Sequence, residues 1–317
     1  MSETHEDRLK VGVAQVSPVW LDRAGTLTKV RSWVEQAAEA GCGLVAFGEA
    51  LVPGYPFWLE HTDGARFDSD LQKDIHAHYM AQAVRIEAGH LDDLSAVAAR
   101  KGIAVVLGVV ERPADRGGHS LYCSRVHIGA DGSIASVHRK LVPTYEERLC
   151  WAPGDGHGLQ VHQVGAFHVG ALNCYENWMP LTRATLHAQG EDLHVALWPG
   201  NARNTHSTTQ FLAREGRSYV LAASALLRKE DVPHDSPAAK MLATCPDVLA
   251  DGGSCIAGPD GEWIVSPVIG REELLVAILD HRLVRRERQN FDPAGHYARP
   301  DVMRLTVDRT RQSALTP

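Results

Sequence analysis

The stretch Val169-Gly-Ala-Leu-Asn-Cys174-Tyr-Glu-Asn-Trp-Met-Pro180 joins two different patterns. Its first half is a short apolar run of the kind that forms a buried strand. Asn177 and Pro180 are opening signals for a helix continuing through Leu181, Ala184 and Leu186. A thiol is therefore expected at a strand-to-helix corner. Backbone N–H groups at a helix start favour negative charge, so the position predicts a lowered thiol pKa and leaves the next amides free to hold an oxyanion. On these residues alone a buried structural cysteine is an equal reading, because free cysteine is among the most buried residue types.

Outward from that corner, strand and helix patterns alternate. Lys10–Val16 reads as a strand closed by Ser17-Pro18, and Leu27, Val30, Val34, Ala37 and Ala38 give a helix from about Arg23 to Ala40 with Gly41 at its C-terminal end. Strand Leu44–Phe47 follows at once, and strand, helix, strand with short links implies a parallel crossover. Helices are expected at 71–87, 91–100, 179–190 and 207–217, with a charged helix start at 282–288 and ordered loop over 290–301. Strands are expected at 103–110, 160–164, 168–173, 193–198, 219–224 and 274–280, and 229–251 reads as a polar excursion. Two hairpins stand out, 121–128 with 133–137 around Gly129-Ala-Asp-Gly132, and 254–257 with 263–265 around Gly258-Pro-Asp-Gly261. Their similar turns suggest a duplicated, mixed α/β sheet arrangement. No linker or low-complexity stretch divides the chain.

The 317 residues suffice for two domains or one large one, and 44% hydrophobic with 22% charged residues is ordinary for a soluble globular protein. A formal net charge of -7, with no Lys/Arg cluster, argues against a nucleic-acid surface and for a small-molecule partner. Met1-Ser-Glu-Thr-His-Glu-Asp-Arg8 is too polar and acidic for a signal or transit peptide, and no apolar run is long enough to span a bilayer. The six cysteines form no Cys-x-x-Cys pair, a pattern that fits a reducing cytoplasm rather than disulfides or zinc. No His-Glu-x-x-His or comparable metal-ligand spacing occurs.

Three complementary groups fall at the ends of expected strands or hairpins: Glu49, Lys140 and Cys174. A carboxylate moves protons, an ammonium stabilises developing negative charge and a thiolate attacks an electrophilic carbon. Carboxyl ends of strands are where open α/β sheets place their chemistry. A solvated loop acid and a surface lysine are the competing readings of Glu49 and Lys140, and sequence separation alone does not bring the three together.

The blocks Phe47-Gly-Glu49-Ala-Leu-Val-Pro-Gly-Tyr-Pro56, His138-Arg-Lys140-Leu-Val-Pro-Thr-Tyr-Glu-Glu-Arg148 and Asn173-Cys174-Tyr-Glu-Asn-Trp-Met-Pro180 occur in one order along the chain. In these blocks the chain closely resembles the nitrilase superfamily of carbon-nitrogen hydrolases, and within it the nitrilase branch. The resemblance runs from Val11-Gly-Val-Ala-Gln-Val16 to Asp292-Pro-Ala-Gly-His296-Tyr-Ala-Arg-Pro300. It implies a four-layer α-β-β-α sandwich, a single hydrolase domain over 1–317 with 282–317 as a C-terminal extension, and pairing into a homodimer or higher homo-oligomer. It assigns Glu49 as general base, Lys140 as stabiliser of the anionic intermediate and Cys174 as nucleophile, with Glu147 positioning the lysine and substrate. The implied reaction is hydrolysis of an organic nitrile to acid and ammonia, with no metal or organic cofactor.

Two departures from the family pattern bear on the site. Gly48 stands where a proline usually precedes the first glutamate, which is expected to loosen the local backbone. Tyr175 replaces a tryptophan common after the cysteine. The chain also stops soon after its last motif, without the long tail of filament-forming relatives. Tyr55, Tyr175 and Trp198 are candidate walls of a substrate pocket, and Trp58 and Trp178 fit a pocket or a dimer interface equally. An amidase with the same three groups, and a catalytically silent assembling scaffold, are the alternative functions.

Overall fold

Along β1 (Arg8–Gln15), Leu9, Val11 and Val13 alternate with Gly12 and Ala14, and both sets are buried. A strand covered on both faces needs a layer on each side. The computed structural model describes residues 7–315. The polar start over residues 1–6, and the last two residues of the expected extension, lie outside the described residues.

Helix α1 (Arg23–Glu39) begins where the Asp22 carboxylate accepts from the Gly25 N–H, and ends before Gly41, which takes the left-handed conformation at φ +81°. It leads to β2 (Leu44–Ala46), α2 (Trp58–His61), α3 (Asp70–Gln82) and α4 (Asp92–Lys101). Next come β3 (Ala104–Glu111), β4 (Tyr122–Ile128), β5 (Ile134–Arg139), β6 (His162–Val164) and β7 (Phe167–Asn173). The second half contains α5 (Pro180–His187), β8 (Leu193–Trp198), α6 (Ala202–Gly216), β9 (Tyr219–Ser224), β10 (Leu226–Arg228) and β11 (Val248–Ala257). It ends with β12 (Trp263–Ile269), β13 (Glu273–Asp280) and α7 (His281–Glu287).

One sheet has the order β13-β1-β2-β3-β4-β5, and the other β10-β11-β9-β8-β7-β6, with β12 paired to β11. Each is built on a parallel triple, β1-β2-β3 and β7-β8-β9, flanked by antiparallel strands. Val11, Val13, Leu44, Ala46 and Val106 of the first sheet pack against Val169, Ala171, Val195, Leu197 and Leu221 of the second. On the far side of the first sheet, Val105 and Leu107 meet Val30 and Val34 of α1 and Leu94 and Val97 of α4. On the far side of the second, Ala222 and Cys255 meet Leu212 and Ala213 of α6. These layers make the α-β-β-α sandwich.

The two hairpins repeat each other in detail. Gly129 and Gly258 each donate to the residue four positions on, at 2.8 Å, and Gly132 and Gly261 sit at φ +82° and +83°. Asp131 and Asp260 each accept from a backbone N–H two residues later, at 3.0 Å. The duplication expected from the two turns is thus a matched pair of sheets.

Four expectations are corrected. The helix expected over 71–87 ends at Gln82, although the apolar spacing continues through Val84 and Ile86. Val84 leaves the helix to bridge Glu111, donating to the Val110 carbonyl at 2.7 Å, so strand pairing overrides the helical period. The helix expected from 207 starts at Ala202, where the Asn201 side chain caps it. The polar excursion 229–251 already contains the start of β11. Beyond Cys174 the chain makes a single 3-10 turn, Cys174–Trp178, before α5 opens with Pro180 as its first residue.

Candidate active site

The carboxyl ends of β2, β5, β7 and β8 meet at one seam between the sheets. At the end of β2, Phe47 donates to the Val106 carbonyl of its own sheet, and two residues later Glu49 donates to the Trp198 carbonyl of the other, at 3.1 Å. Gly48 makes that crossing. A Cβ there would lie 2.9 Å from both the Ala225 nitrogen and the Trp198 oxygen, which are fixed backbone atoms. The expectation that Gly48 loosens the chain is therefore corrected, because the missing side chain permits a tight closure. Ala50, immediately after the glutamate, takes φ +48°.

Lys140 follows β5 and is held by backbone bonds on both sides: its N–H donates to the Cys123 carbonyl, and its carbonyl accepts from Gly154, each at 2.8 Å. Its ammonium lies 2.8 Å from Glu49 Oε1 and 2.7 Å from Glu147 Oε2, and the Trp151 ring centroid is 5.9 Å away. Glu147 sits in a 3-10 turn at Tyr145–Leu149, and its carboxylate accepts from the Thr144 N–H at 2.6 Å and the Tyr55 hydroxyl at 2.9 Å. Cys174, the residue after β7, takes φ +43°, and Tyr145 takes φ +41°. A non-glycine residue in this region stores about 1–3 kcal/mol of strain that its surroundings must hold. Ligand atoms of Glu49, Glu147 and Cys174 all lie within 4.8 Å of one another.

Burial decides the electrostatics. It pushes the Glu49 carboxyl up to about 7, with Glu147 adding to the shift and Lys140 opposing it. Glu49 Oε2 receives no hydrogen bond from the described residues. Burial works against the Lys140 charge, yet Glu49, Cys174 and Glu147 together hold its pKa well above the ordinary lysine value. The Cys174 thiol is pushed up, first by burial and then by Glu49, against Lys140; the Tyr175 backbone N–H favours the thiolate but is the smallest influence. The expectation of a thiol lowered by a helix start is thus overturned. The single turn after Cys174 is too short to offset a dry site carrying two carboxylates. The thiol needs a base, and a carboxyl poised near neutrality lies within reach.

Three ligand atoms this close have the spacing a cation requires, but the Lys140 ammonium already lies between the two carboxylates. The chain supplies that positive charge itself.

Glu49, Lys140, Glu147, Cys174 and Tyr55 thus come together. Trp198 contributes its backbone carbonyl to Glu49, while its ring is buried with α6 and lies 6.2 Å from Trp178. Tyr175 and Trp178 are each 48% exposed and meet edge to face at 5.7 Å. Trp58, read as a pocket or interface residue, is instead core, packed against Trp20 and Tyr79.

Two contributors escaped the sequence reading. The Cys123 thiol donates to Glu49 Oε1 at 3.3 Å, from near the start of β4, whose sequence gives no local sign of it. Buried Glu176 accepts from His138 at 2.9 Å and from the N–H groups of Leu141 and Asn173 at 2.8 and 3.0 Å. The Asn-x-x-Glu spacing at 173–176 is a capping signature from which the Asn173 bond was readable.

A sequence model of the carbon-nitrogen hydrolase family matches residues 10–289. Among known proteins, a nitrilase 2 from an unknown prokaryotic organism is 37% identical over 95% of this chain and 93% of its own. An aliphatic nitrilase from Sinorhizobium fredii is 35% identical over 97% and 98%. Among solved structures, an amidase from Nesterenkonia sp. superposes with a TM-score of 0.63 over 90% of this chain and 96% of that one, at 18% identity, a likeness of fold. With the family pattern running through nearly all of its length and the sandwich built as described, the chain belongs to the carbon-nitrogen hydrolase family, in its nitrilase branch.

Proposed function

We propose that the protein is a nitrilase in which Cys174 is the nucleophile, Glu49 the general base, Lys140 the electrostatic stabiliser and Glu147 the residue that holds Lys140. One observation carries the reading: a buried ammonium pinned between two carboxylates, with a thiol within 4.8 Å of both acids. Glu49 takes the thiol proton as sulfur adds to the nitrile carbon, and that proton passes to the nitrile nitrogen, giving a thioimidate. Lys140 stabilises the negative charge that develops on nitrogen. Water activated by Glu49 adds to the same carbon, ammonia leaves, and an acyl-thioester remains. A second water cleaves it to the carboxylic acid and restores the thiol. Tyr55, Tyr175 and Trp198 are the residues we assign to the substrate pocket.

Ammonia release from aliphatic, aryl and arylacetic nitriles and their amides tests the assignment, with Cys174→Ala as the blank. Replacing the nucleophile is expected to abolish turnover while circular dichroism stays that of the parent; retained turnover would remove Cys174 from the mechanism. An amidase is the second reading, favoured by the fold likeness to an amidase, and turnover of amides alone would establish it.

We further infer a cytoplasmic homo-oligomer of one domain. Six free cysteines, and exposed Trp178 and Leu181 on the α5 side, support the compartment and the association. Val307, in the 282–317 extension, packs beside Leu159, Leu172 and Leu186, which supports one domain. Among the described residues no helix is long and apolar enough to cross a membrane.

A further inference from the structure

The turn after Cys174 is held from beneath by a second set of buried polar groups. The Asn177 side-chain nitrogen donates to the Cys174 carbonyl at 2.9 Å and to the Leu172 carbonyl at 3.2 Å, tying the left-handed residue to the end of β7. Those bonds use both amide hydrogens, so Oδ1 faces away, toward His194 Nε2 at 2.7 Å. An amide oxygen only accepts, and Nε2 therefore carries a hydrogen. His194 Nδ1 lies 2.7 Å from Glu191 Oε1, a separation at which an imidazole nitrogen and a carboxylate oxygen share a proton. Without it, two lone pairs would face each other.

The seat of Glu191 is built for it. A Cβ on Gly170 of β7 would stand 2.0 Å from Glu191 Oε1, so only glycine leaves room for the carboxylate. Asn177, Glu191 and His194 are all more than nine-tenths buried. The charged groups around the pair include His187, whose Nε2 is 3.8 Å from Glu191 Oε2, Arg183, and the buried Arg125, whose charge Glu191 favours. Arg183 pairs with Glu215 and donates to the Asn177 carbonyl, and Arg288 donates to the Glu191 carbonyl.

We propose that Glu191, His194 and Asn177 form a positioning relay for Cys174. The proton between Glu191 and His194 fixes the imidazole with its Nε2–H toward Asn177. That hydrogen bond fixes which way the amide faces, and the amide holds the Cys174 carbonyl and the backbone conformation that aims the sulfur. A flipped amide would point its oxygen at two carbonyls and release the turn. The inference rests on Cys174 being the nucleophile.

Asn177→Asp keeps the shape and removes both N–H donors. Measured per titratable thiol, its kcat is expected to fall by about 10²-fold, the cost of a small misplacement of a reacting group, with KM little changed. Glu191→Gln can donate to a His194 that carries hydrogen on Nε2 alone, so it is expected to stay near the parent, whereas Glu191→Ala frees the imidazole and loses activity. Nitrogen NMR of the parent protein is expected to show hydrogen on His194 Nε2 and a shared proton at Nδ1. A bare Nε2, or unchanged kcat in folded Asn177→Asp, overturns the relay. So does Glu191→Gln impaired as deeply as Glu191→Ala, and that pair decides the matter if Asn177→Asp does not fold. Turnover surviving in Cys174→Ala, with the His194 signals as expected, would instead overturn the nucleophile assignment.

Discussion

Glu49 and Glu176 are both completely buried, both lie beside a basic side chain from the end of β5, and their carboxyls are shifted in opposite directions. Glu176 is held below its ordinary value: burial opposes its charge, but His138 and the N–H groups of Leu141 and Asn173 outweigh it. Glu49 is pushed up to about 7 first by burial, with the Glu147 carboxylate adding to the shift. Lys140 and the Cys123 thiol oppose it but do not outweigh burial, because the one ammonium is shared with Glu147 and Oε2 has no partner among the described residues. Burial alone therefore does not make a base. The balance of donors to acceptors does, and the reaction centre is the place where acceptors are in excess.

The comparison breaks most sharply in turnover. Glu49→Gln removes the proton acceptor while preserving shape, and kcat is expected to fall by about 10²–10⁴-fold, the usual contribution of a general base. Glu176→Gln leaves the reacting groups in place and is expected to keep most of its turnover per folded molecule. Steady-state kinetics of the two variants, each corrected for folded fraction, would reverse the comparison if Glu176→Gln proved the more damaged.

The next effect is on stability, and it tests the excess of acceptors directly. Lys140→Met leaves Glu49 and Glu147 facing each other without their shared cation, and breaking a buried pair in this way costs about 3–5 kcal/mol. Glu176→Gln loses an acceptor for one buried N–H group and is expected to cost about 1–3 kcal/mol. Urea unfolding of both variants at neutral pH gives the order. A Lys140→Met protein as stable as the parent would mean that the two carboxyls already share a proton.

These differences were partly legible in the sequence. Glu49, Lys140 and Cys174 end apolar runs whose strand character is local, so their meeting at one seam followed from topology and family pattern. The duplicated turns at Gly129–Gly132 and Gly258–Gly261 likewise revealed the paired sheets. Thiol acidity was misjudged because a helix-start signal is local, whereas the charge around Cys174 comes from Glu49 and Glu147, 125 and 27 positions away in the chain. Cys123 and His194 were invisible for the same reason: each gains its role from a partner distant in the chain, Glu49 for Cys123 and Asn177 for His194.

The smallest expected effect is also the most diagnostic, because it has a sign. Between its unfolded value of 4.5 and about 7, Glu49 keeps in the folded protein a proton that the unfolded chain has lost, so it makes stability fall as pH rises through that window. Glu176 does the reverse. Its lowered carboxyl contributes stability that is present above 4.5 and is lost as pH falls through the folded value. Glu49→Gln should therefore flatten the decline toward neutrality, and Glu176→Gln should flatten the loss in acid, each leaving the other limb intact. Unfolding free energies measured across both windows separate the two carboxyls. If Glu49→Gln ran parallel to the parent between pH 4.5 and 7, the folded protein would not hold that proton, and Glu49 would enter the reaction already ionised, as a weaker base than the excess of acceptors around it implies.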